Sequence, residues 1–357
     1  MSALGDILRR QIAATGPITV AEYMRSCLLH PQHGYYTTRD PLGAAGDFTT
    51  APEISQMFGE LVGLSLAQAW LDQGAPSPVV LAEPGPGRGT LMADALRATA
   101  AVPGFHAALR LWLVEASPTL RAAQAQTLAQ YAPRWADTLD ALPQAPLLLV
   151  ANEFFDALPI RQFARAGGGW AEIMVGLEDS GALGFGRAPP APLAALAHRL
   201  GDTADGDIVE TCPEATPALT AIASRIARHG GAALIIDYGD WRSRGDTLQA
   251  ISGHAYAPPL ADPGAADLTA HVDFEALART ATAAGAAHAP LTPQGAFLER
   301  LGITARAQAL AQRLDGPALD AHVAAHRRLT HPQEMGNLFK VLALHPPGSA
   351  PPAGAVA

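Results

Sequence analysis

The chain has 357 residues, enough for one large domain or two ordinary ones, with 49% hydrophobic and 16% charged residues. That composition can bury a core and excludes a disordered chain. The formal net charge of −9 argues against nucleic acid as a partner. The sequence contains no apolar run of about 20 residues, so we expect no membrane span. The two cysteines, Cys27 and Cys212, lie far apart, which favours a reducing compartment.

The first 75 residues are predicted to form helices and one long polar loop. Apolar residues recur at helical spacing over residues 2–16, and Thr19 with Glu22 makes a capping box at the start of a second helix. Residues 52–74 predict an amphipathic helix after the loop. The chain starts without a long apolar run, so we expect no secretory signal. A bacterial cytoplasmic location is expected instead.

From Ser77 onward, short apolar strands alternate with helical patterns, which predicts an α/β fold with a doubly wound, Rossmann-like parallel sheet. Residues 160–187 interrupt this rhythm as a predicted β-meander. Such sheets bind ligands at the carboxyl ends of their strands. The polar residues at those strand ends are Glu83, Glu115, Asn152 with Glu153, and Asp237.

We expect the chain to be organised around this sheet, with a strand near the end returning to its edge. The expected segments are an N-terminal helical segment with a cofactor-covering loop (1–75), the core with its inserted β-meander (76–240), a mostly helical insertion on the substrate side (241–335), the returning strand (336–346) and a disordered tail (347–357).

A glycine-rich turn, "EPGPGRGTL", joins the first core strand to a helix. Its glycines are Gly85, Gly87 and Gly89, and Thr90 stands where the third glycine of a dinucleotide fingerprint would be. A carboxylate at Glu83 would repel a pyrophosphate but suits an ammonium group. The turn therefore favours S-adenosylmethionine over a nicotinamide dinucleotide, and a tight turn without a ligand is the structural alternative.

Two further acidic sites have both a functional and a structural interpretation. Glu115 can accept hydrogen bonds from two ribose hydroxyls, or it can simply stabilise the start of the next helix. The carboxylates of Glu153 and Asp156, beside Asn152, can grip a guanidinium group, or they can cap a turn while the neighbouring phenylalanines pack.

Two other polar groups favour structural roles. In "GDFTTAPEIS", Thr49 or Thr50 can cap a helix that has Glu53 in its first turn, with Asp47 just before. His322, His326 and His331 could suggest metal ligands, and the first two have i, i+4 spacing, but the Glu of an HExxH motif is missing. Solvated helix histidines are therefore favoured, and no metal is expected.

Several stretches together resemble one family, the MidA-like methyltransferases. They are "GDFTTAPEISQMFGELVG", "EPGPGRGTLM", "LVEASPTLR", "NEFFDALPIRQF", "IIDYGD" and "DLTAHVDFEAL", in the same order over about residues 17–344. The resemblance implies S-adenosylmethionine as cofactor. It also implies symmetric dimethylation of an arginine on a core subunit of respiratory complex I, because the mitochondrial member is an assembly factor for that complex.

The resemblance also implies roles for particular residues and leaves rival functions open. Cofactor binding is assigned to Glu83, Gly85, Gly87, Gly89, Glu115, Ala116, Asp47, Thr50 and Asn152, and catalysis to Glu153, Asp156 and Asn152. Pro84 replaces the family's usual leucine, and we expect cofactor binding to survive this change. The partner implied is a protein substrate, without nucleic acid or stable membrane insertion, and a homodimer is left open. The rivals are a small-molecule methyltransferase and a non-catalytic assembly chaperone.

Overall fold

The computed structural model describes residues 2–38, 50–253 and 255–355. The chain divides into two compact units. The small unit contains the described residues of 1–48, 156–215 and 242–273, and the large unit contains those of 49–155, 216–241 and 274–357.

The strands of the described residues are short, and most of the longer ones are largely buried. They are β1 (Ile18–Thr19), β2 (Val79–Pro84), β3 (Leu109–Val114), β4 (Arg134–Ala136), β5 (Leu147–Asn152), β6 (Arg161–Ala166), β7 (Gly169–Leu177), β8 (Leu183–Arg187), β9 (Ile208–Thr211), β10 (Gly231–Asp240), β11 (Gln249–Ser252), β12 (Ala255–Ala257), β13 (Asp267–Thr269), β14 (Val272–Asp273), β15 (Ala287–His288), β16 (Thr292–Pro293) and β17 (Phe339–His345).

The helices range from single turns to a helix of 17 residues. They are α1 (Ala3–Thr15), α2 (Val20–Leu29), α3 (Tyr35–Thr38), α4 (Ala51–Ile54), α5 (Gln56–Asp72), α6 (Thr90–Thr99), α7 (Phe105–Ala108), α8 (Pro118–Thr127), α9 (Ala215–His229), α10 (Phe274–Ala283), α11 (Gln294–Arg300), α12 (Ile303–Ala311), α13 (Gly316–Thr330) and α14 (Met335–Leu338).

The large unit is built on one sheet with the strand order β15-β17-β10-β5-β2-β3-β4. The neighbours from β10 to β4 pair in parallel, and β17 runs antiparallel to β10. All residues of β2 and β5 are buried, as expected for apolar runs in a parallel sheet covered on both faces. The predicted Rossmann-like fold is confirmed.

Close helix packing fixes the helix that follows the glycine turn. A Cβ atom on Gly63 of α5 would lie 2.6 Å from the Cα atom of Ala95 in α6, and one on Gly59 would lie 2.9 Å from the Leu91 carbonyl oxygen. Only glycine fits at such distances, because the opposing atoms are backbone. The two helices therefore pack backbone to backbone, which sets the position of α6 and of the turn before it.

The small unit holds two antiparallel sheets and the N-terminal helices. One sheet has the order β1-β7-β6-β9 with β8 added beside β7, and the other has the order β12-β11-β13. The predicted capping box at Thr19 and Glu22 is present at the start of α2. Apolar residues of α1 and α2, such as Leu8 and Met24, pack in one cluster with β-strand residues such as Val175.

Three sequence-based boundaries are corrected by the structure. Of the expected helical insertion over 241–335, residues 242–273 contain the strands β11–β14 and belong to the small unit, whereas residues 274–335 contain helices and belong to the large unit. The predicted helix over 52–74 also belongs to the large unit. Residues 347–355, predicted to be disordered, are packed: Ser65 Oγ donates to the Ala353 carbonyl oxygen at 2.8 Å, and Ala355 is only 1% exposed. Small residues fit this narrow site, and proline lowers the entropy lost on ordering.

Candidate cofactor site of a methyltransferase

The strand order of the large unit reverses between β2 and β5, which is the topological switch point of the sheet. The pairing of β2 with β5 ends at Ala82 and Leu149, although β2 continues to Pro84 and β5 to Asn152. The two strands therefore stop pairing before their carboxyl ends. An open sheet binds its ligand in a crevice of this kind.

The glycine turn begins directly at this crevice. Gly85, Gly87 and Gly89 have φ angles of +60°, +53° and +83°, which lie in the region that favours glycine. A Cβ atom on Gly85 would lie 3.2 Å from a ring carbon of Phe154, and one on Gly89 would lie 3.1 Å from Leu128. The positive φ angles therefore favour glycine at all three positions, and a side chain at Gly85 or Gly89 would also have to displace its neighbour by a few tenths of an ångström. These local reasons explain the motif without reference to a ligand.

Pro84 is explained by the direction of the β2 hydrogen bonds. The Val80 N–H donates to Pro146 on the β5 side, and the Gly85 N–H donates to the Val114 carbonyl oxygen of β3 at 3.0 Å. Because donors alternate along a strand, the missing N–H of Pro84 is on the β5 side, beyond the last pair at Ala82. Proline therefore removes no ladder hydrogen bond here.

Glu83 is a carboxylic acid buried beside the turn, and one of its oxygens has no hydrogen-bond partner among the described residues. Its side chain is 3% exposed, and its Oε2 atom has no hydrogen-bond partner among the described residues. Burial raises the pKa of Glu83 to about 8. Asn152, at the end of β5, is similar: it is 7% exposed and its Oδ1 atom is also unmet within the described residues. Two unmet acceptors at the ends of β2 and β5 suit a ligand that brings hydrogen-bond donors.

Glu115 follows β3 and is held by its own helix start. Its Oε1 atom accepts from the Ser117 N–H at 2.8 Å, and the Ala116 N–H also donates to the carboxylate. Burial raises the pKa of Glu115, and these hydrogen bonds partly offset that effect. The side chain is thus fixed beside the turn, while Ala116 contributes a backbone donor.

Gln124 of α8 is a site residue that the sequence reasoning missed. It is fully buried, and its Nε2 atom donates to the Gly87 carbonyl oxygen at 2.8 Å and to Glu115 Oε2 at 3.3 Å. The signal in the sequence is a polar residue on an apolar stripe, since Leu120 and Leu128 lie four residues before and after it on the buried face.

The short helix α4 connects the glycine turn to the end of β5. Glu53 Oε1 accepts from the Thr90 hydroxyl at 2.6 Å, and the Ala51 N–H donates to Glu153 Oε1 at 3.2 Å. Asn152 Nδ2 also donates to Glu153 Oε1, at 3.1 Å. The predicted cap at Thr50 is not formed, because the Thr50 side chain makes no capping hydrogen bond. Glu53 reaches across to Thr90 instead of acting only within its own helix.

Glu153 has an unusual backbone conformation. Its φ angle is +49°, one of three positive values among the described non-glycine residues. Its N–H donates to the Ile236 carbonyl oxygen, and the Phe155 N–H two residues later donates to Asp237 Oδ2 at 3.0 Å. Backbone strain held by surrounding bonds is common at functional sites.

The remaining predicted residues lie elsewhere. Asp47 and Thr49 are outside the described residues. Asp156 belongs to the small unit, where it is 5% exposed and its carbonyl oxygen accepts from the Ala270 N–H at 3.0 Å. In the same unit the Tyr36 hydroxyl donates to Asp267, and burial with the nearby Asp267 and Asp156 raises the pKa of Tyr36 well above its ordinary value.

In residues 2–38, 50–253 and 255–355, no group of three or more His, Cys, Asp or Glu side chains is placed to hold a metal ion. Within the same residues, no helix combines the length and the apolar character needed to cross a membrane.

The sheet opens at its switch point onto a glycine turn, and a buried carboxylic acid precedes the turn. The third glycine position of a dinucleotide fingerprint is occupied by Thr90. This combination is typical of class I S-adenosylmethionine-dependent methyltransferases. Residues 61–291 match the family described as "Putative S-adenosyl-L-methionine-dependent methyltransferase". The chain belongs to this family, and it is a methyltransferase with S-adenosyl-L-methionine as cofactor.

Named relatives agree with this membership. The chain is 38% identical to "Protein arginine methyltransferase NDUFAF7, mitochondrial" of Danio rerio, over 93% of this chain and 84% of that protein. It is 37% identical to the protein of the same name from Homo sapiens, over 95% and 82% respectively. A crystal structure from Burkholderia thailandensis, described as a "likely methyl transferase" bound to S-adenosyl-homocysteine, has a TM-score of 0.85 and 34% identity, and the match covers 99% of this chain and 94% of that one.

The residues present fit this cofactor. The Glu83 and Asn152 oxygens without partners are acceptors for a ligand that carries an ammonium group, and three residues of the turn are glycines without side chains. Glu115 is a fixed carboxylate at the end of the neighbouring strand. The predicted cofactor is confirmed by the family, whereas the role of each residue stays a prediction.

Proposed function

We propose that the protein methylates an arginine side chain of a protein substrate, and that this substrate is a core subunit of respiratory complex I, dimethylated symmetrically. The observation that carries the proposal is the shared name of the relatives, each a protein arginine methyltransferase matched along nearly the whole chain. A reducing bacterial cytoplasm is the proposed location, which suits the two free cysteines and the bacterial structural relative.

The cofactor roles proposed for the large unit follow from the donors and acceptors described above. Glu83 accepts hydrogen bonds from the ammonium group of the cofactor's amino-acid part, with Asn152 as a second acceptor. Glu115 accepts from the ribose hydroxyls, and the Ala116 N–H lies on the same strand end. Thr50 and Asp47 stay assigned to the cofactor on the family resemblance alone.

The mechanism asks the protein to bind and orient a guanidinium group, because the arginine pKa above about 12 makes free deprotonation negligible. When bound, the cofactor would supply an electrophilic methyl group on sulfur. Transfer of this group to a guanidinium nitrogen would break the carbon–sulfur bond, release S-adenosyl-homocysteine and require the loss of one proton from that nitrogen. Glu153, fixed on one oxygen by the Ala51 and Asn152 donors, can accept guanidinium N–H groups and offset their charge. Orientation of this kind can supply a large part of the rate enhancement.

Neutral variants test the two acids separately. Glu153→Gln should lower methyl transfer by about 100-fold while cofactor affinity changes little, because a carboxylate is lost but the fold of the turn is kept. Asp156→Asn, in the small unit, should lower transfer as well if it helps hold the substrate arginine. Glu178→Gln, an exposed change in the small unit, is the matched control. Full transfer by both site variants, with normal cofactor binding, would show that this site assignment is wrong.

The substrate itself is tested by intact-mass analysis of complex I core subunits made with and without this protein. Symmetric dimethylation should add about 28 Da to one subunit and map to one arginine. Label from the cofactor that enters only small metabolites would support the small-molecule methyltransferase. An absence of cofactor binding in calorimetry would support the non-catalytic chaperone.

A further inference from the structure

We propose that Gln124 is a positioning residue that holds the glycine turn and the Glu115 carboxylate together as one rigid platform for the nucleoside part of the cofactor. The inference rests on the ribose role proposed above for Glu115. It goes beyond that role because Gln124 is assigned no contact with the cofactor.

The orientation of the Gln124 amide is determined by its partners. Trp135 Nε1 lies 2.8 Å from Gln124 Oε1, and an indole N–H can only donate a hydrogen bond. The atom that faces Trp135 must therefore be the amide oxygen. This places the amide nitrogen on the side of the glycine turn, so the assignment does not depend on an arbitrary choice between nitrogen and oxygen.

The amide nitrogen then serves two acceptors at once. It lies 2.8 Å from the Gly87 carbonyl oxygen and 3.3 Å from Glu115 Oε2. A primary amide carries two N–H groups, so one can be directed at each acceptor. The side chain is fully buried, and every hydrogen-bonding atom of the amide has a partner. A buried network satisfied in this way is rigid.

This network leaves Glu115 with a defined remaining capacity. Its Oε1 atom is used by the Ser117 N–H and its Oε2 atom by Gln124. The Ala116 N–H is a third donor to this carboxylate. A carboxylate has about four lone-pair positions, so acceptor capacity remains for a ribose hydroxyl. Gln124 therefore fixes the plane of the carboxylate without using all of its acceptor capacity.

The hydrogen bond from Gln124 to the Gly87 carbonyl oxygen also orients the turn. Because the peptide unit after Gly87 is planar and trans, a carbonyl directed at Gln124 sends the following N–H in the opposite direction. α8 supports the turn from the same side, since Leu128 lies under Gly89. The positions of the glycine turn and of the Glu115 carboxylate are thus both fixed by contacts with α8, so a change at Gln124 should affect both.

The test uses the full chain and calorimetric binding of S-adenosyl-homocysteine and its 2′-deoxy and 3′-deoxy analogues. Gln124→Met keeps the length of the side chain and removes its hydrogen bonds. Trp135→Phe removes only the group that orients the amide. Gln126→Met, an exposed position on the same helix, is the matched control, and thermal unfolding of each variant shows that it folds.

Gln124→Met should weaken S-adenosyl-homocysteine binding by about 10- to 100-fold and should reduce the preference for the ribose form over the deoxy forms. Trp135→Phe should give a smaller change in the same direction, and Gln126→Met none. An equal loss of affinity for all three ligands would show that Gln124 has only a structural role and would overturn the proposal. Failure of the unchanged protein to bind S-adenosyl-homocysteine would instead overturn the cofactor assignment.

Discussion

At the residue scale, Glu83 combines burial, an unmet oxygen and a position beside the glycine turn. Its pKa of about 8 means that the group is mostly neutral near pH 7 when no ligand is bound. A neighbouring cationic group favours the ionised form of a carboxylic acid. If the cofactor ammonium binds here, as proposed, binding should ionise Glu83.

Cofactor binding should therefore release a proton near pH 7. The heat of binding of S-adenosylmethionine should differ between two buffers that differ in ionisation enthalpy, and affinity should rise as the pH approaches about 8. Glu83→Gln should remove the proton release and weaken binding by about 10- to 100-fold. Proton release that persists in Glu83→Gln would assign it to another group.

Glu83 should also affect the stability of the ligand-free protein. Its folded-state pKa lies above the ordinary 4.5, so its favourable contribution is complete below about pH 4.5 and is lost as the pH rises through about 8. Glu83→Gln stays neutral at every pH. The melting temperature of this variant should therefore rise relative to that of the unchanged protein from about pH 4.5 to about pH 8 and stay level above it. Parallel melting curves across this range would contradict the assigned pKa.

At the element scale, the position of α4 depends more on hydrogen bonds to Thr90 and Glu153 than on the hydrogen bonds within its single turn. It has four residues, and its contacts run to Thr90 through Glu53 and to Glu153 through the Ala51 N–H. A helix of this length is not stable alone, so these hydrogen bonds fix its position. The arrangement connects the cofactor turn with the acid proposed to bind the substrate.

A double-mutant cycle measures this connection. Glu53→Leu and Thr90→Val should each lower the free energy of unfolding by about 1–2 kcal/mol, because each removes one partner of the same hydrogen bond. The double variant should lose less than the sum of the two. Urea unfolding of the four proteins gives the coupling energy. Strict additivity would mean that the 2.6 Å contact contributes nothing to stability.

At the scale of the whole molecule, residues 347–355 complete the large unit. Thr292 Oγ1 donates to the Ala355 carbonyl oxygen at 3.1 Å, and a Cβ atom on Gly354 would lie 2.9 Å from Leu301 and Phe297. The segment thus packs against α11 and closes one side of the hydrophobic core.

Removal of residues 350–357 should lower the melting temperature by several degrees, since it exposes Phe297 and leaves the hydroxyls of Ser65 and Thr292 without their present partners. A chain that ends at Ala355 is the reference and should melt like the full chain. Differential scanning calorimetry compares the three proteins. Equal melting temperatures would show that the segment contributes no stability.

Much of the large unit was predictable because its signals are local. The apolar runs of β2 and β5, the glycine turn, and acids directly after strands are read from neighbouring residues, and one edge of a parallel sheet gathers them. The small unit was less predictable. β11 pairs with β13 through Gln249 and Thr269, and the Ala-, Gly- and Pro-rich sequence between them carries no strand periodicity.

The sequence by itself determined the class of fold, the cofactor and the family, because these depend on residue types at fixed short spacings. Tertiary structure alone decided that Gln124 joins Gly87 to Glu115 and that Glu53 reaches Thr90, since such contacts connect residues 9 to 37 positions apart. It also decided why Pro84 is tolerated. That answer depends on which neighbouring strand each N–H faces and on where β5 stops pairing, and no local pattern records either fact.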